Sequence, residues 1–150
     1  MRRVASIVAV LVALAALALV GYVRLAPNPP ERWHVDPVAA TPPATPNFHL
    51  IRPGEGPSFA MTPEALAARI DDVARDGGAE RLAGSPEAGH VTYITRTRWI
   101  GFPDFTSIRV LPAEDGATVA AFTRARFGVS DMGANRARLE GWLAAVGGGS

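Results

Sequence analysis

Near the N-terminus, residues 4–23 form an apolar run that contains no charged side chain. A helix rises about 1.5 Å per residue, so a run of this length spans the hydrocarbon core of a bilayer, about 30 Å thick. A cleavable signal peptide is the alternative, but its apolar region is usually about 7–15 residues long. No clear Ala-x-Ala cleavage site follows this run. We therefore expect residues 1–23 to be an uncleaved membrane anchor, with residues 4–23 in contact with the lipid bilayer.

Charge and composition suggest where the rest of the chain lies. Arg2 and Arg3 precede the apolar run and favour a cytoplasmic N-terminus, although Arg24 and Arg32 on the far side weaken the asymmetry. All fifteen basic residues are arginine, which is typical of a GC-rich bacterial genome. We expect a single-pass protein of the bacterial inner membrane with its C-terminal domain in the periplasm.

The absence of cysteine and the small net charge exclude several classes of function. Without cysteine the chain forms no disulfide, no thiolate zinc site and no thiol nucleophile, and it cannot be a lipoprotein. A formal charge of +1 predicts no general attraction to nucleic acid.

A proline-rich segment follows the apolar run. Residues 24–47 hold seven of the thirteen prolines, a composition that favours extended polyproline II and a semi-rigid spacer. A PxxP ligand for a partner protein is the alternative. The closing residues 147–150, Gly-Gly-Gly-Ser, are expected to be a flexible tail.

The folded domain is therefore expected over residues 48–146. Thr62, Pro63 and Gly77 mark the start and end of one helix, whose apolar stripe includes Leu66 and Ile70. A short strand is expected at residues 47–51 and a closing helix at about residues 131–146. Four strand-like runs lie between the helices, at residues 79–84, 90–100, 105–112 and 118–127. Their short connections predict an antiparallel arrangement. The expected fold is a small two-layer α+β domain with a four- to five-stranded antiparallel sheet and two helices.

Arginines recur at alternate positions in the last three strands. Strand periodicity places Arg96 with Arg98, and Arg124 with Arg126, on one side of their strands, and it places Arg109 beside Phe105. An arginine-rich face suits phosphate or carboxylate ligands, including a lipid headgroup. The alternative is a solvated face on which the arginines pair with acidic neighbours such as Asp104, and we favour this interpretation because surface charges usually serve solubility.

The densest polar cluster lies in "FGVSDMGANRAR", residues 127–138. Ser130 or Asp131 is placed to cap the closing helix. Asp131, Asn135 and Arg138 follow at i, i+4 and i+7, so they share one side of that helix, and Asn135 falls inside its apolar stripe. These groups either fix the helix against the sheet or form a ligand site in which Asp131 acts as a base and the arginines bind an anion. We favour the structural interpretation. The candidate cluster consists of Arg126, Ser130, Asp131, Asn135 and Arg138, with Arg96, Arg98, Asp104, Arg109 and Arg124 as secondary candidates.

No motif for a reaction accompanies this cluster. His34, His49 and His90 are scattered without metal-ligand spacing, and "GEGPS" lacks the Lys-Ser/Thr of a phosphate-binding loop. We therefore expect no metal, no cofactor and no catalytic residue.

"GFPDFTSIRV" and "TRARFGVSDMGANRARLEGWL" together resemble the bacterial and plastid family catalogued as domain of unknown function 1499. The resemblance covers about residues 46–146, and it is most specific in an Arg-x-Gly-x-Ser-Asp-x-Gly-x-Asn-Arg-x-Arg pattern that runs from Arg126 to Arg138. The family's serine before the arginine is Ala125 here, and its earlier Arg-Ser pair falls on Phe122 and Thr123. These departures weaken the case for any role of a hydroxyl on this strand. The resemblance implies no activity, substrate or cofactor.

Two functions are compatible with these features. The first is a non-catalytic binding or assembly module of the cell envelope, whose partner is another envelope protein. The second is an enzyme or carrier that handles an anionic, phosphorylated or lipid-linked ligand through the Arg/Asp/Asn cluster. We favour the first and lean against an enzyme.

Overall fold

The computed structural model describes residues 1–148. The first and longest helix, α1, spans Arg2–Leu25, and α2 is a single turn at Pro30–Trp33. The remaining helices are α3 at Pro63–Asp76 and α4 at Ala134–Gly147. The six strands are β1 (Phe48–Ile51), β2 (Ser58–Phe59), β3 (Glu80–Ser85), β4 (His90–Arg96), β5 (Pro103–Ala113) and β6 (Gly116–Ala125). Residue 147 of the expected tail belongs to α4, and residues 149–150 lie outside the described residues.

The strands form one antiparallel sheet in the order β1-β6-β5-β4-β3, with β2 also paired to β6. The α+β class and the antiparallel pairing are confirmed. The strand count is higher than the four or five expected, because β2 has only two residues and gives no periodicity to read.

Helices α3 and α4 contact each other and cover one face of the sheet. The hydroxyl of Thr62 accepts a hydrogen bond from the Ala65 N–H at 3.2 Å and caps α3, while Gly77 ends it. Leu66 and Ile70 of α3 pack with Leu139 and Leu143 of α4 over the strands. This face therefore carries the main apolar core.

The opposite face of the sheet is covered by the proline-rich segment, which departs from the expected spacer. Trp33 is only 5% exposed, and its ring stacks on that of Phe105 with the ring centroids 4.0 Å apart. The Ser107 hydroxyl donates a hydrogen bond to the Trp33 carbonyl at 3.4 Å. Burying a large apolar side chain stabilises by roughly 1.5–3 kcal/mol, which offsets part of the entropy lost by ordering the segment. Residues 26–47 therefore form part of the domain.

Arginines on this sheet face hold the segment in place. Arg126 Nη1 donates to the Pro27 carbonyl at 2.8 Å, and Arg124 Nη2 donates to the Arg32 carbonyl at 2.9 Å. Arg109 forms an ion pair with Asp36, with Nη2 and Oδ2 2.6 Å apart. The expected arginine face therefore exists, but these three side chains bind the protein's own chain.

Two histidines stack where the segment crosses β4. The rings of His34 and His90 lie 4.0 Å apart, and the His90 Nε2–H donates to the Val35 carbonyl at 3.3 Å. Burial is the main factor that lowers the pKa of each imidazole, and the nearby Arg109 guanidinium lowers both further. The folded state therefore favours the neutral rings.

This arrangement predicts a loss of stability in acid. Because the pKa of each histidine is below its ordinary value of 6.5 in the folded state, the unfolded chain takes up protons first. Stability is therefore highest above pH 6.5 and falls as the pH drops below it. Thermal unfolding of the full chain in detergent, measured across this range, should show a steeper decline for the wild type than for His34→Gln/His90→Gln. His49→Gln is the matched control and should follow the wild type; equal slopes for all three proteins would contradict the prediction.

The C-terminal end of α1 is fixed against one end of the sheet. Arg24 donates hydrogen bonds from Nε to the Ile100 carbonyl at 3.1 Å and from Nη2 to the Trp99 carbonyl at 3.0 Å. The ring of Tyr22 meets that of Phe127 edge-on, with centroids 6.1 Å apart. Residues 2–19 of α1 are exposed, and the helix, with a mean hydropathy of 2.8, is long and apolar enough to cross a membrane.

Candidate functional site

A cavity of about 330 Å³ lies between residues 97–102 and residues 127–134, at the end of the sheet beside α1. Phe102, Phe127 and Met132 contribute apolar walls, and Asp104 and Arg138 contribute polar groups. The cavity therefore combines an apolar interior with a few charged groups, as small-molecule sites commonly do.

The loop before α4 forms one wall and is shaped by its own side chains. Asp131 accepts hydrogen bonds from the Gly133 N–H at 3.1 Å and the Asn135 N–H at 3.0 Å, and the Ser130 hydroxyl accepts one from the Met132 N–H at 3.2 Å. Burial opposes ionisation of Asp131, but these backbone donors outweigh it and lower the pKa of the carboxyl group. The helix begins at Ala134, three residues later than expected, because Met132 and Gly133 have positive φ angles.

Asn135 fastens α4 to the sheet. It is completely buried, and its Oδ1 accepts hydrogen bonds from the Thr123 hydroxyl at 3.0 Å and from Arg138 Nη1 at 2.8 Å. Thr123 in turn shares a hydrogen bond with Thr106, with the two hydroxyl oxygens 2.9 Å apart. A hydroxyl on β6 thus has a structural role, contrary to what the departures from the family pattern suggested.

Arg138 and Asp104 form an ion pair across the cavity wall, with Nη2 and Oδ2 3.1 Å apart. Burial raises the pKa of Asp104, and the adjacent Arg138 only partly offsets this effect. The Arg138 charge is therefore directed to a carboxylate of the protein, which weakens its suitability as an anion clamp.

The structure divides the predicted site residues among three places. Ser130, Asp131, Asn135 and Arg138 come together with Asp104 beside the cavity. Arg109, Arg124 and Arg126 lie on the sheet face that binds the proline-rich segment. Arg96 and Arg98 lie near the end of α1, in the strand end and turn that follow Thr95.

Sequence reasoning missed several residues that shape this region. Asn47 is buried, and its Nδ2 donates to the Gly128 carbonyl at 2.8 Å, which ties the end of the proline-rich segment to the loop before α4. Thr123 supports Asn135, and Arg24 holds the 99–100 turn. A tryptophan inside a proline-rich stretch, Trp33, was the one available signal that this stretch packs against something.

The ionisable groups and the hydroxyl beside the cavity are engaged by the protein itself. Among residues 1–148 no group of three or more His, Asp or Glu side chains is arranged to hold a metal ion. The acidic groups beside the cavity are engaged, Asp131 by backbone N–H groups and Asp104 by Arg138. The Ser130 hydroxyl accepts a backbone hydrogen bond and has no histidine among its partners in the described chain.

Comparison with known proteins places the chain in a family. The model of the family described as "Protein of unknown function (DUF1499)" matches residues 25–146, more than half of the chain, and the protein belongs to this family. The match includes the proline-rich segment from residue 25 onward, in agreement with the packing of that segment on the sheet. A search of curated proteins found no match.

The buried amide of Asn135 generates a prediction about stability. Asn135→Ala leaves Thr123 and Arg138 without their shared acceptor, and a buried polar group without a partner costs about 1–3 kcal/mol. A domain of 60–100 residues shifts by roughly 4–8 °C per kcal/mol and a larger domain by less, so the melting temperature of the full chain in detergent should fall by several degrees.

Arg136→Ala is the matched control on the same helix. Arg136 makes an exposed ion pair with Glu140, a type of pair worth about 0.2–0.5 kcal/mol, so its removal should change the melting temperature little. If Asn135→Ala has the same melting temperature as Arg136→Ala and the wild type, Asn135 does not stabilise the fold and the prediction is wrong.

Proposed function

We propose that this protein is a non-catalytic binding module of the bacterial envelope that holds the acyl chain of a membrane lipid beside its anchor. In this proposal α1 spans the inner membrane with its N-terminus in the cytoplasm, and the domain lies in the periplasm. The observation that carries the proposal is the largely apolar cavity between residues 97–102 and 127–134, at the end of the sheet where α1 ends.

Two features support a lipid as the occupant. Phe127 lines the cavity and contacts Tyr22 in the last turns of α1, so one wall of the cavity touches the proposed anchor. Trp99, Val129 and Met132 are highly exposed around it, and exposed apolar groups clustered next to a membrane helix suit contact with lipid.

The alternative, an enzyme or carrier that binds an anion through the Arg/Asp/Asn cluster, has less support. Arg126 is directed to residues 26–28, and Arg138 is directed to Asp104 and Asn135. An envelope protein as partner remains compatible with the exposed apolar groups, and the experiment below separates it from a lipid.

The proposed anchor and orientation can be tested by cysteine labelling, because the native chain has no cysteine that would interfere. Asp115→Cys places one thiol in the exposed β5–β6 turn. A membrane-impermeant maleimide should label it once the outer membrane is permeabilised, and the intact mass should still include residues 1–25. Labelling only after cell lysis, or loss of the N-terminal residues, would contradict the topology. The cysteine-free wild type gives the background.

The lipid site can be tested by photo-crosslinking of the full chain in vesicles of phosphatidylcholine that carries a diazirine on one acyl chain. We expect label in residues 97–102 and 127–134 in addition to α1. Ala134→Trp should fill the cavity and reduce this label several-fold, because Ala134 lines it, whereas Ala137→Trp on the exposed side of α4 should not. Label confined to α1 in the wild type would show insertion without the proposed binding function.

A further inference from the structure

We infer that a second cavity, lined by Arg24, Arg96, Thr97, Arg98 and Gly101, binds the phosphate of an anionic membrane lipid. It has a volume of about 450 Å³ and is formed largely by the 97–102 turn and its neighbours, with Thr97 contributing to both cavities. The inference rests on the membrane anchoring of the proposed function, and it adds the headgroup chemistry that the first cavity does not supply.

The three arginines are positioned by the backbone of one turn. Arg24 donates to the Trp99 and Ile100 carbonyls, and Arg96 Nη1 donates to the Gly101 carbonyl at 3.1 Å. The Arg98 guanidinium lies over the Trp99 ring, 5.3 Å from its centroid. Each guanidinium has five N–H donors, so these contacts orient the groups while leaving further donors for a ligand.

Their charges are not balanced by a neighbouring carboxylate, unlike those of several other arginines. Arg81, Arg109 and Arg138 are each ion-paired with an aspartate. Within residues 1–148, Arg24, Arg96 and Arg98 make no ion pair with a carboxylate. Three cations around one cavity repel one another, and an anion bound between them would relieve that repulsion. Guanidinium groups match the geometry of phosphate oxygens, which favours a phosphate over a simple counter-ion.

The position of the cavity identifies the source of the phosphate. Arg24 follows the last residue of the apolar run, so in the anchored protein it lies at the level of the lipid headgroups. Trp99, 81% exposed beside the cavity, is a residue type enriched at that level. Gly101 permits the close approach, because it has a φ of 85° and a Cβ there would lie 3.2 Å from Arg24 Cγ.

The test compares lipids retained by the full chain, purified in a mild detergent and examined by native mass spectrometry. With phosphatidylglycerol and phosphatidylcholine supplied in equal amounts, the wild type should retain several-fold more phosphatidylglycerol. Arg96→Gln/Arg98→Gln should remove this preference, while Arg24 stays in place to hold α1. Arg52→Gln/Arg136→Gln, which removes two exposed arginines elsewhere, should keep it. Circular dichroism confirms that each variant is folded.

Three results would overturn the inference: equal retention of the two lipids by the wild type, an unchanged preference in Arg96→Gln/Arg98→Gln, or an equal loss in the control variant. Excess inorganic phosphate supplies a further test. If it displaces phosphatidylglycerol, and if the wild type but not Arg96→Gln/Arg98→Gln retains phosphate, the cavity is a site for free phosphate and the inferred lipid source is wrong. Because the acyl-chain experiment uses phosphatidylcholine, its label in the first cavity would persist if only the headgroup inference failed.

Discussion

The stacking of Trp33 on Phe105 is the contact on which the arrangement of this protein depends. A four-stranded core of β3 to β6 with helices on one face leaves the other face uncovered, and that face carries Phe105, Phe122 and several arginines. The indole ring covers the centre of this face, and the arginines at its margins donate to the backbone of residues 26–32. An aromatic pair adds roughly 0.5–1.5 kcal/mol to the burial of its surface. A segment whose composition resembles that of a spacer thereby becomes the second covering layer of the sheet.

This layer determines where α1 meets the domain. The segment begins directly after α1, so its fixation on the sheet brings the end of the helix to the strand ends, where Arg24 bonds to the 99–100 turn. Both cavities flank that turn. The proposed lipid site and the proposed headgroup site are thus consequences of the same packing: an unattached spacer would leave the position of the domain relative to the bilayer undefined.

The features that sequence could predict were those with local causes. The apolar run predicted α1, and Thr62 and Gly77 predicted the ends of α3. Asp131 was predicted to cap the closing helix, and it does bond to the Asn135 N–H, but from the loop before α4 and not from the helix itself. The alternation of arginines with apolar residues predicted that several arginines share one sheet face. It did not predict what they bind, because residues 24–47 have no periodicity that would indicate a partner distant in sequence. Likewise, the Asn135–Thr123 and Arg138–Asp104 contacts join different elements of the fold. They could be predicted only once the pairing register of the strands was known. The two-residue strand β2 was too short to give a signal.

The packing of Trp33 can be measured directly by leaving it as the sole tryptophan in the full chain. In Trp99→Phe/Trp142→Phe, fluorescence should report an apolar environment and resist quenching by acrylamide, because the Trp33 ring is enclosed between the sheet and its own segment. The same variant unfolded in guanidinium chloride supplies the accessible reference. Strong protection of Trp33 in the folded protein relative to the unfolded protein is the result expected from this account. If acrylamide quenches Trp33 equally in both states, the segment does not cover the sheet, and the positions inferred for the anchor and both cavities are wrong.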